Sequence, residues 1–243
     1  MAIPPDNSAT SAAAPDRNSA LGILTSAISH DLRAPVGQIQ LYAELLAEIH
    51  GDAIPPACAD GLHTIAREAA QITAMTDAIL SLARLSVRPP VPEMVDLVAI
   101  ADAVVHDCRT RWPEPVTFIA PPALTVFMDP LLVRAALQQL LDNAWKFSQR
   151  RSSAVVELGR SADGPDGAAT FFVRDNGHGF DDSSATAKRL FAPFKRMPVA
   201  DEYPGIGIGL AMVARIVDDH GGSYRVASQP ETGTTVTIWP GPL

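Results

Sequence analysis

The first strong pattern in this chain is a run of apolar residues at steps of three and four that begins at Leu21. Such steps place one stripe along a helix, and its members are Leu21, Leu24, Ile28, Leu32, Pro35, Ile39, Tyr42, Leu46 and Ile49. A second run with the same spacing extends from Leu62 to Leu82, after a break at the proline pair 55–56. The pattern therefore predicts a helical hairpin over residues 21–90.

Each helix of this hairpin carries one long apolar stripe, and two such helices cannot enclose a core alone. A second copy of the hairpin is the natural cover, because two hairpins together build a four-helix bundle. We therefore expect a homodimer. Residues 1–20 are small, polar and proline-bearing, which predicts a flexible tail because such a segment buries too little surface to offset its ordering entropy.

After Pro92 the pattern becomes a mixture of helices and short strands. Helices are predicted at 97–109, at 130–147 with Pro130 in the first turn, and at about 207–219. Strands rich in β-branched and aromatic residues are predicted at VTFIA, LTVFMD, VVELGRS, ATFFVRD, SYRVAS and TTVTIWP. We expect residues 91–243 to form an α/β sandwich, one sheet covered on one face by helices, so that the whole chain is of the α+β class.

Composition narrows the classes of partner. The 243 residues carry a net charge of −8, which disfavours nucleic acid and anionic membrane surfaces as partners. No apolar run approaches the ~18 residues of a membrane span, and residues 1–20 lack the features of a signal peptide. Cys58 and Cys108 fit neither a zinc site nor a disulfide framework. A soluble protein of the reducing cytoplasm is expected.

His30 is the first candidate for chemistry, because it lies two residues from Ile28 and from Leu32. At ~100° per residue it faces away from the apolar stripe, so it is either a nucleophile presented to solvent or an ordinary surface histidine. The adjacent Asp31 favours the first reading, since a carboxylate can hold one ring nitrogen protonated and leave the other as a nucleophile. Arg33 adds a cation suited to an incoming phosphate.

A second candidate group lies on the long predicted helix. Gln139, Asn143 and Lys146 follow one another at helical spacing, so two amide oxygens and an ammonium face one place. Oxygen ligands beside a lysine suit Mg²⁺ and phosphate, although exposed helix faces commonly carry the same residue types.

Two glycine-bearing segments complete the candidates. Asp175, Gly177 and Gly179 stand in DNGHGF directly after an apolar strand, where a buried carboxylate could accept from an adenine amino group, although DNG is also a common hairpin turn. Gly205, Gly207 and Gly209 open a helix, whose free N–H groups favour phosphate. This GxGxG is neither a dinucleotide fingerprint nor a P-loop, and it is weak evidence alone.

The order of these motifs is more specific than any one of them. SHDLRAP, LLDNAWKFS, VRDNGHGF, LFAPFKR and GIGIGLAM resemble the H, N, first glycine, F and second glycine boxes of sensor histidine kinases, over residues 21–240. The resemblance implies a dimerisation and phosphoacceptor hairpin followed by a Bergerat-type ATP-binding domain. It also implies autophosphorylation from ATP with Mg²⁺, and transfer of the phosphoryl group to the receiver domain of a response regulator.

By this resemblance, His30 is the phosphoacceptor, and Asp31 assists its attack on the γ-phosphate. Asn143 and Gln139 match the Mg²⁺-binding positions, Lys146 a phosphate contact and Asp175 the adenine-selecting carboxylate. The remaining matched positions shape the pocket, the lid and the triphosphate side, and they are Gly177, Gly179, Phe191, Phe194, Arg196, Gly205, Gly207 and Gly209. The lid phenylalanines could instead be core residues.

Several questions stay open at the level of sequence. Ala34 stands where relatives with phosphatase activity carry Thr or Asn, so we expect that activity to be weak or absent. Twenty tail residues cannot house a sensor, so either a separate sensor protein or a missing sensor domain supplies the signal. The main alternative function is a phosphotransfer or scaffold protein with a non-catalytic ATP domain; another is an ATPase or serine kinase of the same superfamily. His178 either borders the nucleotide or lies on the surface, with the surface favoured.

Overall fold

The structure is a computed structural model that describes residues 17–50, 53–85, 89–161, 170–183, 189–196, 203 and 205–241. Within the helices, the side chains of residues 17–31, 56, 78 and 81–85 lie outside this description. The chain divides into two compact units, Met1–Val87 and Arg88–Leu243. In the described part of the chain, no helix has the length and apolar character needed to cross a membrane.

The first unit is a helical hairpin of α1 (Arg17–His50) and α2 (Pro56–Leu85). α1 begins four residues before the predicted start, because its first turn is polar and carries no apolar periodicity; Pro35 lies inside it. The side chains that the two helices bury are mostly small, and an exposed Arg33–Asp77 ion pair also joins the helices. The buried apolar members of the seam are Val36, Ala43, Ala69 and Leu80.

Among the described side chains, most large apolar residues of the predicted stripes lie outside this seam, and Leu62 and Met75 are half-buried. The others remain exposed along one side of each helix, and they are Leu32, Ile39, Tyr42, Leu46 and Ile49 on α1 and Ile65, Ile72 and Ile79 on α2. On α2 their spacing is seven residues, which is the repeat of a helix that packs along a bundle. The bulkiest apolar side chains of the hairpin therefore lie on a surface that the hairpin itself does not bury.

The second unit alternates helices and strands. The helices are α3 (Leu97–Arg111), α4 (Pro130–Ser148) and α5 (Gly209–Asp219). The strands are β1 (Glu93–Asp96), β2 (Val116–Ile119), β3 (Thr125–Met128), β4 (Ala154–Ser161), β5 (Thr170–Asp175), β6 (Ser223–Gln229) and β7 (Gly233–Trp239).

Five of these strands form one sheet in the order β2-β4-β5-β7-β6. β2 pairs with β4 in parallel, and the remaining pairs are antiparallel. β1 and β3 form a separate antiparallel pair. The sequence did not predict β1, because its residues EMVD include one β-branched residue and no aromatic one, unlike those of β2 and β3. α4 packs on β4 and β5, and α3 and α5 pack on α4.

α4 has the start that its sequence predicts. Asp129 is fully buried, and its Oδ1 accepts from the amides of Leu131 and Leu132 at 3.0 and 3.2 Å, which is an N-cap ahead of Pro130 in the first turn. The predicted core stripe is buried at Val133, Leu137, Leu140 and Ala144. Its last member, Phe147, is half-buried and lines a cavity instead.

His220 at the end of α5 connects that end to the start of α4. Its Nδ1 donates to the carbonyl of Ile216 at 2.7 Å, and its Nε2 accepts from the amide of Asp129 at 2.9 Å, so the ring holds one neutral tautomer. The Oδ2 of Asp129 accepts from the amide of Val91 at 3.0 Å. His220 therefore has a structural role, because it links the end of α5 to the start of α4.

Candidate functional site

A cavity of about 260 Å³ lies in the second unit. Its walls come from α4, the start of α5, the segment after β5 and the described parts of the long 180–209 connection. The predicted site residues on its wall are Gln139, Asn143, Lys146, Asp175, Gly179, Arg196, Gly205, Gly207 and Gly209. Motifs that are up to 70 residues apart in sequence thus surround one space.

Part of the cavity wall is built by the polar stripe of α4. The Nζ of Lys146 donates to the Oδ1 of Asn143 at 3.0 Å, and it lies 4.5 Å from the centroid of the Phe147 ring. Burial lowers the pKa of Lys146, the charge of Arg196 lowers it further, and the carboxylate of Asp142 opposes both. An ammonium held out of water in this way is suited to an anionic ligand.

Gly207 and Gly209 lie so close to neighbouring groups that neither position has room for a side chain. A Cβ on Gly209 would lie 2.6 Å from the Oε1 of Gln139, and one on Gly207 would lie 2.6 Å from the carbonyl oxygen of Lys195. Gly207 also has a φ of 73°, which is why α5 begins at Gly209 rather than at 207. No side chain caps the first turn of α5, so its free N–H groups and dipole favour an anion there.

The cavity wall also contains the half-buried carboxyl group of Asp175. The Oδ1 of Asp175 accepts from the amides of Gly177 at 2.9 Å and Thr234 at 3.3 Å. Burial raises the pKa of Asp175 to about 6, although these two hydrogen bonds act in the opposite direction. Among the described residues, no donor contacts Oδ2, which leaves that oxygen for a ligand.

Gly177 does not line the cavity, but the close packing next to the cavity leaves no room for a side chain at this position. A Cβ there would lie 2.6 Å from the carbonyl oxygen of Phe147, and one on Gly179 would lie 1.9 Å from that of Gln229. The segment after β5 is therefore pressed between α4 and the turn that joins β6 to β7. This packing fixes the position of Asp175 relative to the polar stripe.

Sequence reasoning did not assign several other residues to this wall. Asp142, His178 and Thr234 are the polar ones that matter most, and Phe147, Phe180, Leu190, Ile206, Ile208 and Leu210 are the apolar ones. Lys195, a cation that the sequence places near the phosphates, completes the described lining. Asp142 could have been found, because it is four residues before Lys146 on the same helix. Thr234 reaches the site only through its pairing with Asp175 across β5 and β7, which no local pattern reveals.

The remaining predicted residues lie away from the cavity wall or outside the description. The ring centroid of Phe191 lies 4.2 Å from that of Tyr224. Phe194 is 43% exposed, has a φ of 61° and donates its amide to the carbonyl of Gly207. His30 and Asp31 lie on α1, but their side chains are outside the described residues.

Comparison with known proteins assigns the family. Residues 20–87 match the His Kinase A (phospho-acceptor) domain, and residues 128–242 match the histidine kinase-, DNA gyrase B- and HSP90-like ATPase family. The chain contains the two domains of a sensor histidine kinase catalytic core. One matched domain lies in each unit, and the ATPase family of the second implies ATP binding.

Individual relatives agree with this family. The sensor-like histidine kinase SenX3 of Mycobacterium tuberculosis (strain ATCC 25618 / H37Rv) is 31% identical over 227 residues, which cover 87% of this chain and 51% of SenX3. The mycobacterial sensor histidine kinase MprB is 29% identical in a solved structure with a TM-score of 0.50, covering 63% of this chain and 100% of that chain.

A solved structure of full-length ShkA in complex with AMPPNP shares the fold. It has a TM-score of 0.60 at 22% identity, and the match covers 90% of this chain and 46% of that one. The chain spans about a quarter to a half of the length of the first curated relatives that it matches.

Proposed function

We propose that this chain is an ATP-dependent protein-histidine kinase core that phosphorylates its own His30 and passes the phosphoryl group to an aspartate of a response-regulator receiver domain. The observation that carries the proposal is the cavity of the second unit. Its wall contains the half-buried carboxyl group of Asp175, which two backbone amides hold, and it also contains a lysine, two amides and an uncapped helix start. This combination of groups suits a ligand with both a base and phosphates.

In this proposal Asp175 accepts a hydrogen bond from the 6-amino group of adenine. Its Oδ1 is already held by two backbone amides, so the carboxylate is oriented before ATP binds. Lys146, Arg196 and the first turn of α5 face the triphosphate. Phosphoryl transfer needs mainly alignment and charge neutralisation, and these groups supply both.

The amide oxygens on α4 are suitable ligands for a Mg²⁺ ion that is bound largely through ATP. Mg²⁺ in nucleotide enzymes usually takes one or two protein oxygens, with phosphates and water completing its octahedron. Asn143 and Gln139 both line the cavity and offer amide oxygens, and Asn143 would exchange its hydrogen bond from Lys146 for the ion. The ion would neutralise negative charge on the β- and γ-phosphates.

The transfer step forms a bond between an imidazole nitrogen of His30 and the γ-phosphorus, and it breaks the bond from that phosphorus to the oxygen of ADP. Asp31 follows His30 directly and would hold the ring for this attack. The product is phosphohistidine and ADP. The same residue would then present the phosphoryl group to the receiver aspartate.

Homodimerisation belongs to the same proposal, and the exposed apolar stripes support it. Leu46 and Ile49 on α1 and Ile72 on α2 are 46%, 69% and 47% exposed in the single chain. A second hairpin would cover these side chains and make a four-helix bundle, because large apolar surfaces of this kind gain most by burial.

The deciding experiment is incubation of the full chain with γ-labelled ATP and Mg²⁺. We expect acid-labile, alkali-stable label on the wild type and none on His30→Gln. Asn143→Ala should also lose the label while His30 stays intact. A wild type that binds ATP but takes no label would refute the kinase and favour the phosphotransfer or scaffold alternative, whereas label on His30→Gln would move the phosphoacceptor to another residue.

A further inference from the structure

His178 lies between the two glycines of DNGHGF, and a network of hydrogen bonds and ion pairs holds it on the cavity wall. Its Nδ1 lies 3.1 Å from the Oε1 of Glu231 in the turn between β6 and β7. The Nη2 of Arg151 lies 3.2 Å from the other carboxylate oxygen of Glu231 and 2.9 Å from the carbonyl oxygen of Gly177. One guanidinium thus joins the turn to the segment that carries His178.

The backbone around His178 is fixed as well as its ring. Its amide donates to the carbonyl of Phe147 at 3.2 Å, and its carbonyl accepts from the amide of Glu231 at 2.7 Å. Glu231 has a φ of 62°, which is uncommon for a residue with a side chain. The imidazole, its carboxylate partner and the main chain of both are therefore held in one arrangement before any ligand binds.

The partner of Nδ1 determines what the other ring nitrogen can do. A carboxylate can only accept, so in the neutral ring the proton is on Nδ1 and Nε2 carries a lone pair. Among the described residues, no group forms a hydrogen bond with Nε2. His178 lines the cavity and directly follows Gly177, whose amide donates to Asp175, so His178 and the carboxyl group of Asp175 belong to the same short segment of the cavity wall.

We propose that His178 is a base-contacting residue of the nucleotide site, with Glu231 and Arg151 as its positioning residues. This inference rests on the proposed binding of ATP with adenine at Asp175. The 6-amino group of adenine has two hydrogens, and Asp175 accepts one of them. The Nε2 of His178 supplies the acceptor for the second, and this adds to the preference for adenine over bases without that amino group.

A purely structural role explains the network less well. Glu231 is 68% exposed and Arg151 is 29% exposed at their side chains, and ion pairs at such exposure contribute little to stability. The turn and the segment are already joined by the backbone bonds of His178 and by the contact of Arg151 with Gly177. The imidazole is the one member of this network that lines the cavity.

The first test measures nucleotide dissociation constants of the full chain by calorimetry with ATP, ADP and purine riboside 5′-diphosphate, which lacks the amino group. His178→Leu should raise the constants for ATP and ADP equally, by about 3- to 10-fold for one lost hydrogen bond. It should leave the constant for purine riboside diphosphate unchanged. An effect on ATP alone, an equal effect on all three ligands or no effect would each overturn the assignment.

The second test separates positioning from fold stability. Glu231→Ala should weaken ADP binding in the wild type but add nothing in the His178→Leu background, because the two residues act through one contact. Fully additive effects would refute the positioning role. His106→Leu on the exposed face of α3 is the matched control, and thermal unfolding of every variant verifies folding. If the wild type itself binds no nucleotide, the proposed function fails rather than the role of His178.

Discussion

The two units of this chain differ in what they bury. In the second unit, large side chains such as Trp145, Phe171 and Leu137 are fully buried between the sheet and the helices. In the hairpin, the described seam is built from Val36, Ala43 and similar residues, while the largest apolar side chains stay exposed. The second unit closes its own core, whereas the hairpin requires a second surface to complete one.

The ion pairs of the two units differ in the same way. Arg33 and Asp77 join α1 to α2 with both side chains about half exposed. In the second unit, the Oδ1 of Asp142 accepts hydrogen bonds from the guanidinium of Arg111 at 2.7 Å and from the indole N–H of Trp112 at 3.1 Å. The side chain of Asp142 is 23% exposed. The Asp142 contacts of the ATP-binding unit are thus partly buried, while the Arg33–Asp77 pair of the hairpin lies on its surface.

The largest effect that would test this difference is expected in the hairpin. Leu46→Asp should weaken the homodimer about 1000-fold or more, because it places an unpaired charge, costing ~4 kcal/mol or more, in the apolar interface of both copies. Sedimentation equilibrium measures the change. Glu48→Ala, on the opposite side of α1, is the control, and an unchanged dimer in Leu46→Asp would show that the stripe is not the interface.

The next effect concerns catalysis in the second unit. Lys146→Met should lower the rate of phosphohistidine formation by about 100-fold or more, since it removes a partly desolvated cation from the phosphate end of the cavity. Single-turnover labelling with ATP measures this rate. Arg134→Met, on the exposed face of the same helix, should leave the rate within about twofold; equal losses in both variants would mean that α4 acts only as scaffold.

A pH-dependent effect follows from Asp175, whose pKa is raised from 3.8 to about 6 by burial. The carboxylate form is the acceptor for adenine, so the dissociation constant for ADP should rise about tenfold per pH unit below 6. Calorimetry across pH 5 to 8 measures it, and Asp175→Asn should lose this component of the pH dependence. An identical pH profile in wild type and variant would contradict the prediction.

The same shift affects the stability of the second unit with the opposite sense. Because the folded state binds this proton more tightly than the unfolded state, the contribution of Asp175 is fully present below about pH 4. It falls by about 3 kcal/mol as the pH rises to about 6 and above. The difference in free energy of unfolding between wild type and Asp175→Asn, measured at both pH values, isolates this contribution.

The smallest effects concern the ion pairs. Asp142→Ala should lower the free energy of unfolding of the second unit by ~1–2 kcal/mol, because it removes two hydrogen bonds from a partly buried carboxylate. Arg33→Ala should change the hairpin by less than ~1 kcal/mol. Urea unfolding followed by tryptophan fluorescence reports the second unit, which contains all three tryptophans, Trp112, Trp145 and Trp239. Equal losses of stability in Asp142→Ala and Arg33→Ala would show that the partly buried pair and the exposed pair contribute alike.

Local signals in the sequence predicted much of this architecture. The apolar spacing and Pro130 placed α4 correctly, and the spacing of Gln139, Asn143 and Lys146 predicted one polar face. What the sequence left out depends on pairing between distant segments. The parallel pair of β2 and β4, the β1–β3 pair and the contact of Thr234 with Asp175 arise only when the chain has folded.

His178 illustrates the same limit within the candidate site. In sequence it stands in a turn motif without a recognisable partner, so a surface position was favoured. Its partners Glu231 and Arg151 are 53 and 27 residues away, and they meet it only through the β6–β7 turn and the end of α4. A side chain whose role depends on partners at such separations cannot be judged from its neighbours.

The parallel pairing of β2 with β4 also constrains how the ATP-binding unit can fold. A parallel pair requires a crossover, and here residues 120–153, which include β3 and the whole of α4, make it. β2 can therefore pair with β4 at the edge of the sheet only after α4 has packed against the sheet, which is a slow, non-local step. The nucleotide pocket should accordingly be among the last features to form as the chain folds.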